Sequence, residues 1–148
     1  MSFEWPVASP IDLESYPRKA LYKHFLTFEV PVTTRTIQLD ITELAAYIKQ
    51  HGYRFSLTLG LIITRAVNHV PELRHRIQDG ELVEFSKVIP SFTILSEDKL
   101  LYFSKGVYTD NFVEDYAVNM EILERAAKGL EQNVGSGNQG QIFITNNP

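Results

Sequence analysis

The chain contains no cysteine in 148 residues. That excludes disulfides, thiolate catalysis and cysteine-ligated metal sites. It suits a reducing compartment, and the cytoplasm is the expected location. There is no basic surplus: the net charge is -4, so the electrostatic footprint of a nucleic-acid-binding domain is missing. No apolar run is long enough to span a membrane, because Arg65 and Asn68 interrupt the longest one, Leu57 to Val70. The opening Met-Ser-Phe-Glu-Trp-Pro has neither a basic flank nor an apolar core, which predicts no signal peptide. Internal repeats and low-complexity tracts are absent. No histidines and carboxylates stand at metal-ligand spacing. The glycines of Val134 to Gly140, V-G-S-G-N-Q-G, form neither a P-loop nor a dinucleotide fingerprint.

What is present suffices for one domain with a core. Hydrophobic residues make up 44% and charged residues 22%, ordinary for a globular protein. The stretch Ser56 to Phe85 organises the chain. Leu57, Leu59, Leu61, Ile62, Ile63, Ala66, Val67 and Val70 cover more than one helical face, which predicts a helix buried on most of its circumference. Pro71 ends it. Next comes His75-Arg-Ile-Gln-Asp79-Gly80, which matches H-x-x-x-D-G, a string known from coenzyme A-dependent acyltransferases. The residues also have a purely local explanation. Asp-Gly between two short alternating runs is a strong signal for a two-residue hairpin turn, since both central positions take positive φ. On this reading Ile77 faces Leu82 across the ladder, and His75 is a strand-entry residue, not a base.

Residues 1–11, with Pro6 and Pro10, read as an extended arm, and 12–148 as the domain. Tyr16, Lys19, Leu21, Tyr22 and Phe25 recur at helical spacing between Ser15 and Thr27, with Pro17 suited to a first turn. Val30 to Ile41 alternates like a strand. Thr42 is placed to cap a helix over Glu43–Gln50, and Gly52 to close it. Strands are expected at Val88–Leu95, with Pro90 at an edge or entry position, and at Leu100–Tyr108 after a turn at 97–99. A helix is expected over Asp110–Gln132, with Phe112, Val113, Tyr116, Met120 and Leu123 on its apolar face. A loop at 134–140 leads to a last strand, Gln141–Thr145. A buried-type strand so close to the last residue points to the first part of a longer polypeptide.

The ordered set of short matches resembles the chloramphenicol acetyltransferase family. The matching pieces are Arg18-Lys19 with the aromatics Tyr22 to Phe25, Gln38 to Thr42, Val67 to Arg74, Asp79 to Val83, Pro90 to Thr93, and Phe143 to Pro148. The resemblance begins near residue 12. It implies an α/β two-layer sandwich with a mixed sheet and helices on one face, incomplete at the C-terminus. It implies acetyl-coenzyme A as co-substrate and transfer of the acetyl group to a hydroxyl of chloramphenicol or a related small acceptor. A homotrimer with each active site between two subunits, and a role in antibiotic resistance, are further implications. The alternatives are a non-catalytic binding or assembly module, either a truncated relative or one with a degenerate C-terminal part, and an acyltransferase of the same fold with another acceptor, such as a lipoyl group or a different drug.

In the family, Asp-Gly-Glu-Leu is a turn, and the catalytic H-H-x-x-x-D-G comes later than any residue here. The histidines are His24, His51, His69 and His75, with no adjacent pair. The general base is therefore expected outside this chain, and His51 and His69 are read as structural. Carried over by position, Thr145 falls where a family serine donates to the oxyanion. Arg18 falls on the arginine that orients the histidine loop through an aspartate of the missing motif. His24, Phe25, Phe103 (or its neighbour Tyr102) and Phe143 fall on the acceptor pocket, where His24 replaces an aromatic residue. No metal is expected.

Overall fold

A computed structural model describes residues 4–130 and 140–145. The loop expected at 134–140 lies outside the described residues except for Gly140. So do 131–132 of the expected 110–132 helix and the terminal residues 146–148; within the described residues that helix ends at Ala127, with Gly129 in the left-handed conformation at φ 71°.

The elements run β1 (Ala8–Pro10), α1 (Lys19–Phe25), α2 (Thr42–His51), α3 (Phe55–Asn68), a 3-10 turn (Pro71–Arg74), β2 (His75–Gln78), β3 (Glu81–Phe85), β4 (Ile89–Leu95), β5 (Leu101–Lys105), α4 (Phe112–Ala127) and β6 (Gln141–Ile144). The strands form two three-stranded sheets, in the orders β1-β3-β2 and β5-β4-β6. The first is antiparallel throughout. The second is mixed: β4 pairs antiparallel with β5 and parallel with β6. The architecture is thus α/β, as expected, with the mixed sheet as one of two.

The hairpin reading holds. Asp79 and Gly80 have φ of 52° and 85°, the left-handed pair that a two-residue turn requires. Ile77 pairs with Leu82. The extended arm contributes β1, which joins the hairpin by pairing with β3.

Leu57 and Leu61 of α3 pack on Phe92 of β4, with Phe112, Tyr116, Met120 and Leu123 of α4 and Ile144 of β6 closing the cluster. Gly60 lets the helix come this close, because a Cβ there would stand 2.6 Å from the Phe92 ring. Burial of α3 is one-sided, on Leu57, Thr58, Gly60, Leu61 and Thr64. Ile62 and Ile63 are exposed, so the expectation of burial around most of the helix is corrected. A second cluster, Val83, Phe85 and Val88 with Ala8, Val67 and Ile142, joins the hairpin sheet to the end of α3 and to β6. Asn68 ties these layers. Its amide donates to the carbonyls of Thr64 and Val88 and accepts from the Val88 N–H.

Four more expectations are corrected. Residues 31–41 form no strand, and 31–40 are all exposed. A strand exists only through its ladder, and no described strand pairs with this segment. Thr42 does not cap α2 but is its first residue; the capping position is Ile41, which has no side-chain cap bond, and one Asp40 carboxylate oxygen accepts from both the N–H and the hydroxyl of Thr42. The expected helix from Asp110 begins two residues later, because Asp110 takes φ 68° and Asn111 supplies the cap. Val113 turns outward from the expected apolar face. Gly52 closes α2 in the left-handed conformation, as expected.

Candidate active site

The mixed sheet has one face under α3 and α4 and one face open. Phe92, Ile94 and Ile144 point to the helices. Their neighbours point the other way, by the two-residue period of a strand. Phe103 pairs with Thr93 and Phe143 pairs with Ser91, so both phenylalanines lie on the open face. They are 46% and 75% exposed. Tyr102 pairs with Ile94 and is buried on the helix side, where its hydroxyl donates to Asp98. Of the two candidates at this position, Phe103 is therefore the one on the face of Phe143. Thr145 follows β6 directly and is exposed. Continued alternation past Ile144 carries it to the side of Phe143.

The residues of α1 form a separate group. His24, Phe25 and Phe28 stack edge to face, with ring centroids 4.9 to 6.0 Å apart. Among the described residues, no hydrogen bond, ion pair or ring contact links this group to Phe103, Phe143 or Thr145. Arg18 forms an exposed ion pair with Glu72 at 2.9 Å, so its guanidinium is engaged within the chain. The acceptor-pocket candidates are thus carried by two elements, α1 and the mixed sheet.

His75 sits apart from both. Its Nδ1 lies 3.4 Å from the Tyr16 hydroxyl, and its Nε2 lies 3.9 Å from a Glu84 carboxylate oxygen. Its side chain is only 14% exposed. Glu84 is held by Arg74, whose guanidinium also donates to the carbonyls of Asn68 and Phe85. Both ring nitrogens thus face partners within the hairpin and arm. His69 and His51 turn Nδ1 to the carbonyls four residues earlier, Arg65 and Tyr47, at 2.8 Å each. These two rings finish their helices.

A second concavity, of about 210 Å³, opens between α2, α3 and the start of α4. Asp115 lines it and is buried, although the sequence reading gave it no role. Burial raises the Asp115 carboxyl above its ordinary value, against the lowering effect of hydrogen bonds from the Thr109 N–H and hydroxyl. Burial also pushes the Tyr108 hydroxyl up to about 12, helped by its bond to Asp110. The legible signal was polar Asp115 and Asn119 recurring at i, i+4 on the buried side of α4. Among the described residues there is no group of three or more metal-ligating side chains. No described helix is long and apolar enough to cross a membrane.

Comparison with known proteins matches this architecture. A family model described as chloramphenicol acetyltransferase matches residues 7–147. A chloramphenicol acetyltransferase of Proteus mirabilis is 37% identical over 98 residues, covering 66% of this chain and 45% of the relative. One from a Klebsiella species is 28% identical over 146 residues, covering 93% of this chain and 64% of the relative. A solved structure of a chloramphenicol acetyltransferase superposes with a TM-score of 0.79 at 23% identity, covering 95% of this chain and 64% of that one. The chain therefore spans less than two thirds of the length of these relatives. With nearly every residue inside the matched region, the chain belongs to the chloramphenicol acetyltransferase family.

Proposed function

We propose that this chain carries part of an acetyl-coenzyme A-dependent O-acetyltransferase of the chloramphenicol type, acting on a small hydroxyl acceptor. The reading includes a cytoplasmic location and a contribution to antibiotic resistance. The observation that carries it is the shared open face of Phe103, Phe143 and the strand end at Thr145. It is an apolar surface with a hydroxyl at its border, the composition of an acceptor site. In the proposed step a neutral histidine takes the acceptor's hydroxyl proton while the oxygen attacks the thioester carbonyl. The Thr145 hydroxyl donates to the resulting oxyanion. Collapse expels coenzyme A as thiolate, which takes up the proton. The histidine comes from outside these residues, since His51, His69 and His75 are engaged locally and His24 lies in the α1 cluster. Arg18 acts as a positioning residue, leaving Glu72 for an aspartate of the segment that carries the base. The assembly is a homotrimer.

The test joins residues 1–145 to the final segment of the Klebsiella relative and measures chloramphenicol acetylation with acetyl-coenzyme A. Turnover by the chimera is the expected result. A second reading, a non-catalytic assembly module, has its own support in Val32, Ile37 and Leu39, which stand exposed on an unpaired segment. A folded, trimeric but inactive chimera favours that reading.

A further inference from the structure

The cavity between α2, α3 and α4 lies on the helical side of the mixed sheet, opposite the face that carries Phe103 and Phe143. Its walls are mainly apolar, from Leu44, Leu61, Ile62 and Phe112. Its volume, about 210 Å³, exceeds the roughly 150 Å³ of a dry protein cavity that takes up benzene. The polar groups on the walls do not balance in charge. At the rim, Asp110 accepts from Arg65 Nε at 3.1 Å and from the Tyr108 hydroxyl at 3.0 Å. That ion pair is neutral in sum. Asp115 remains, 3% exposed; its carboxylate accepts from the N–H and hydroxyl of Thr109 and from the Asp110 backbone, all uncharged donors. Among the described residues no cationic side chain pairs with it. A buried carboxylate ordinarily has a counter-charge. Thr58, also on the wall, is buried with its hydroxyl lacking a hydrogen-bond partner. Tyr47, Tyr108 and Phe112 line the same space, and aromatic faces attract cations.

We propose that this cavity is a binding site for a small organic ammonium ion with an apolar body, its charge directed to Asp115. The apolar body replaces water against Leu61 and Ile62. The ammonium brings the missing counter-charge and three N–H donors. A neutral molecule of equal shape gains only the apolar contact, so charge is the discriminating property. The cavity holds one ring with a short tail, which sets the size class. The site is independent of acetyl transfer: none of its lining residues is in the candidate active site.

The experiment titrates the 148-residue chain with 2-phenylethylammonium and with its uncharged analogue 2-phenylethanol, followed by NMR of backbone amides and methyl groups. The ammonium is expected to bind about tenfold more tightly than the alcohol, from its cation–π and charge-assisted contacts. Shifts should centre on Leu44, Thr58, Leu61 and Ile62. Asp115→Asn should bring the two ligands to equal affinity. Because that change could also disturb the Thr109 bonds, Ile62→Trp serves as a second variant at an exposed wall position. It fills the cavity and should abolish binding of both ligands with the fold intact. Equal affinities in the wild-type chain, no binding at millimolar concentration, or ammonium binding unaffected by Ile62→Trp would overturn the proposal.

Discussion

Phe103 and Phe143 lie on one face of the mixed sheet, on the two outer strands that flank β4, and among the described residues both are exposed, Phe143 more than Phe103. Exposed aromatic side chains contribute little to the stability of their own fold. Their replacement by alanine should therefore change the unfolding free energy of the chain by no more than about 0.5 kcal/mol. In the chimera the same replacements should raise the acceptor KM. Urea unfolding and steady-state kinetics check the two halves. A large stability loss would make these residues core.

Thr145 is predicted to act on the oxyanion, not on binding. Thr145→Ala in the chimera should lower kcat by roughly 100- to 1,000-fold with little change in acceptor KM. Thr145→Ser should keep most of the activity. An unchanged kcat for the alanine variant would remove Thr145 from the site.

The start of α4 depends on Asn111, whose side-chain oxygen accepts from the N–H groups of Val113 and Glu114. Asn111→Ala should destabilise the chain by about 1 kcal/mol, and Asn111→Asp should be tolerated. Thermal or urea unfolding of the two variants measures this directly.

Asp115 gives a pH signature. Burial holds its folded pKa above the ordinary 3.8, so the folded chain binds this proton more tightly than the unfolded chain. By linkage, its contribution to stability is fullest below 3.8, declines as pH rises through the folded pKa, and stays reduced above it. Asp12, Asp40 and Asp98 are shifted the opposite way, chiefly by hydrogen bonds to Glu14, Thr42 and Ser96 respectively. The difference between wild type and Asp115→Asn isolates the one group. The variant should gain on wild type as pH is raised from about 3 to about 8. The reverse trend in urea midpoints would show that the carboxylate is a net stabiliser when charged.

The features legible in the sequence are those with local causes. Asp79-Gly80 forms its turn because two adjacent residues take positive φ, and Gly52 ends α2 for the same reason. The α3 and α4 helices announce themselves by period. Residues 31–41 were misread because alternation records what a segment can pair with, while a strand also needs a partner. β1 was missed as a strand because Ala8–Pro10 has three residues, too few to show a period. Thr42 begins α2 instead of capping it, because the helix starts one residue earlier than its polar spacing suggests, after Ile41. At the candidate site, the two-residue spacing of Phe143 and Thr145 was legible as one face, that Phe103 shares it needed the strand pairings, and His75 is at the hairpin entry. The cavity around Asp115 was not legible, since three helices separated in sequence must meet to form it.

His75 decides between the two meanings of H-x-x-x-D-G. In the chimera, His75→Ala should leave acetyl transfer within a few-fold of the parent, because the ring serves Tyr16 and Glu84 and not the acceptor. Loss of several orders of magnitude in kcat, with the chimera's oligomeric state and circular dichroism unchanged, would contradict this and make His75 the base.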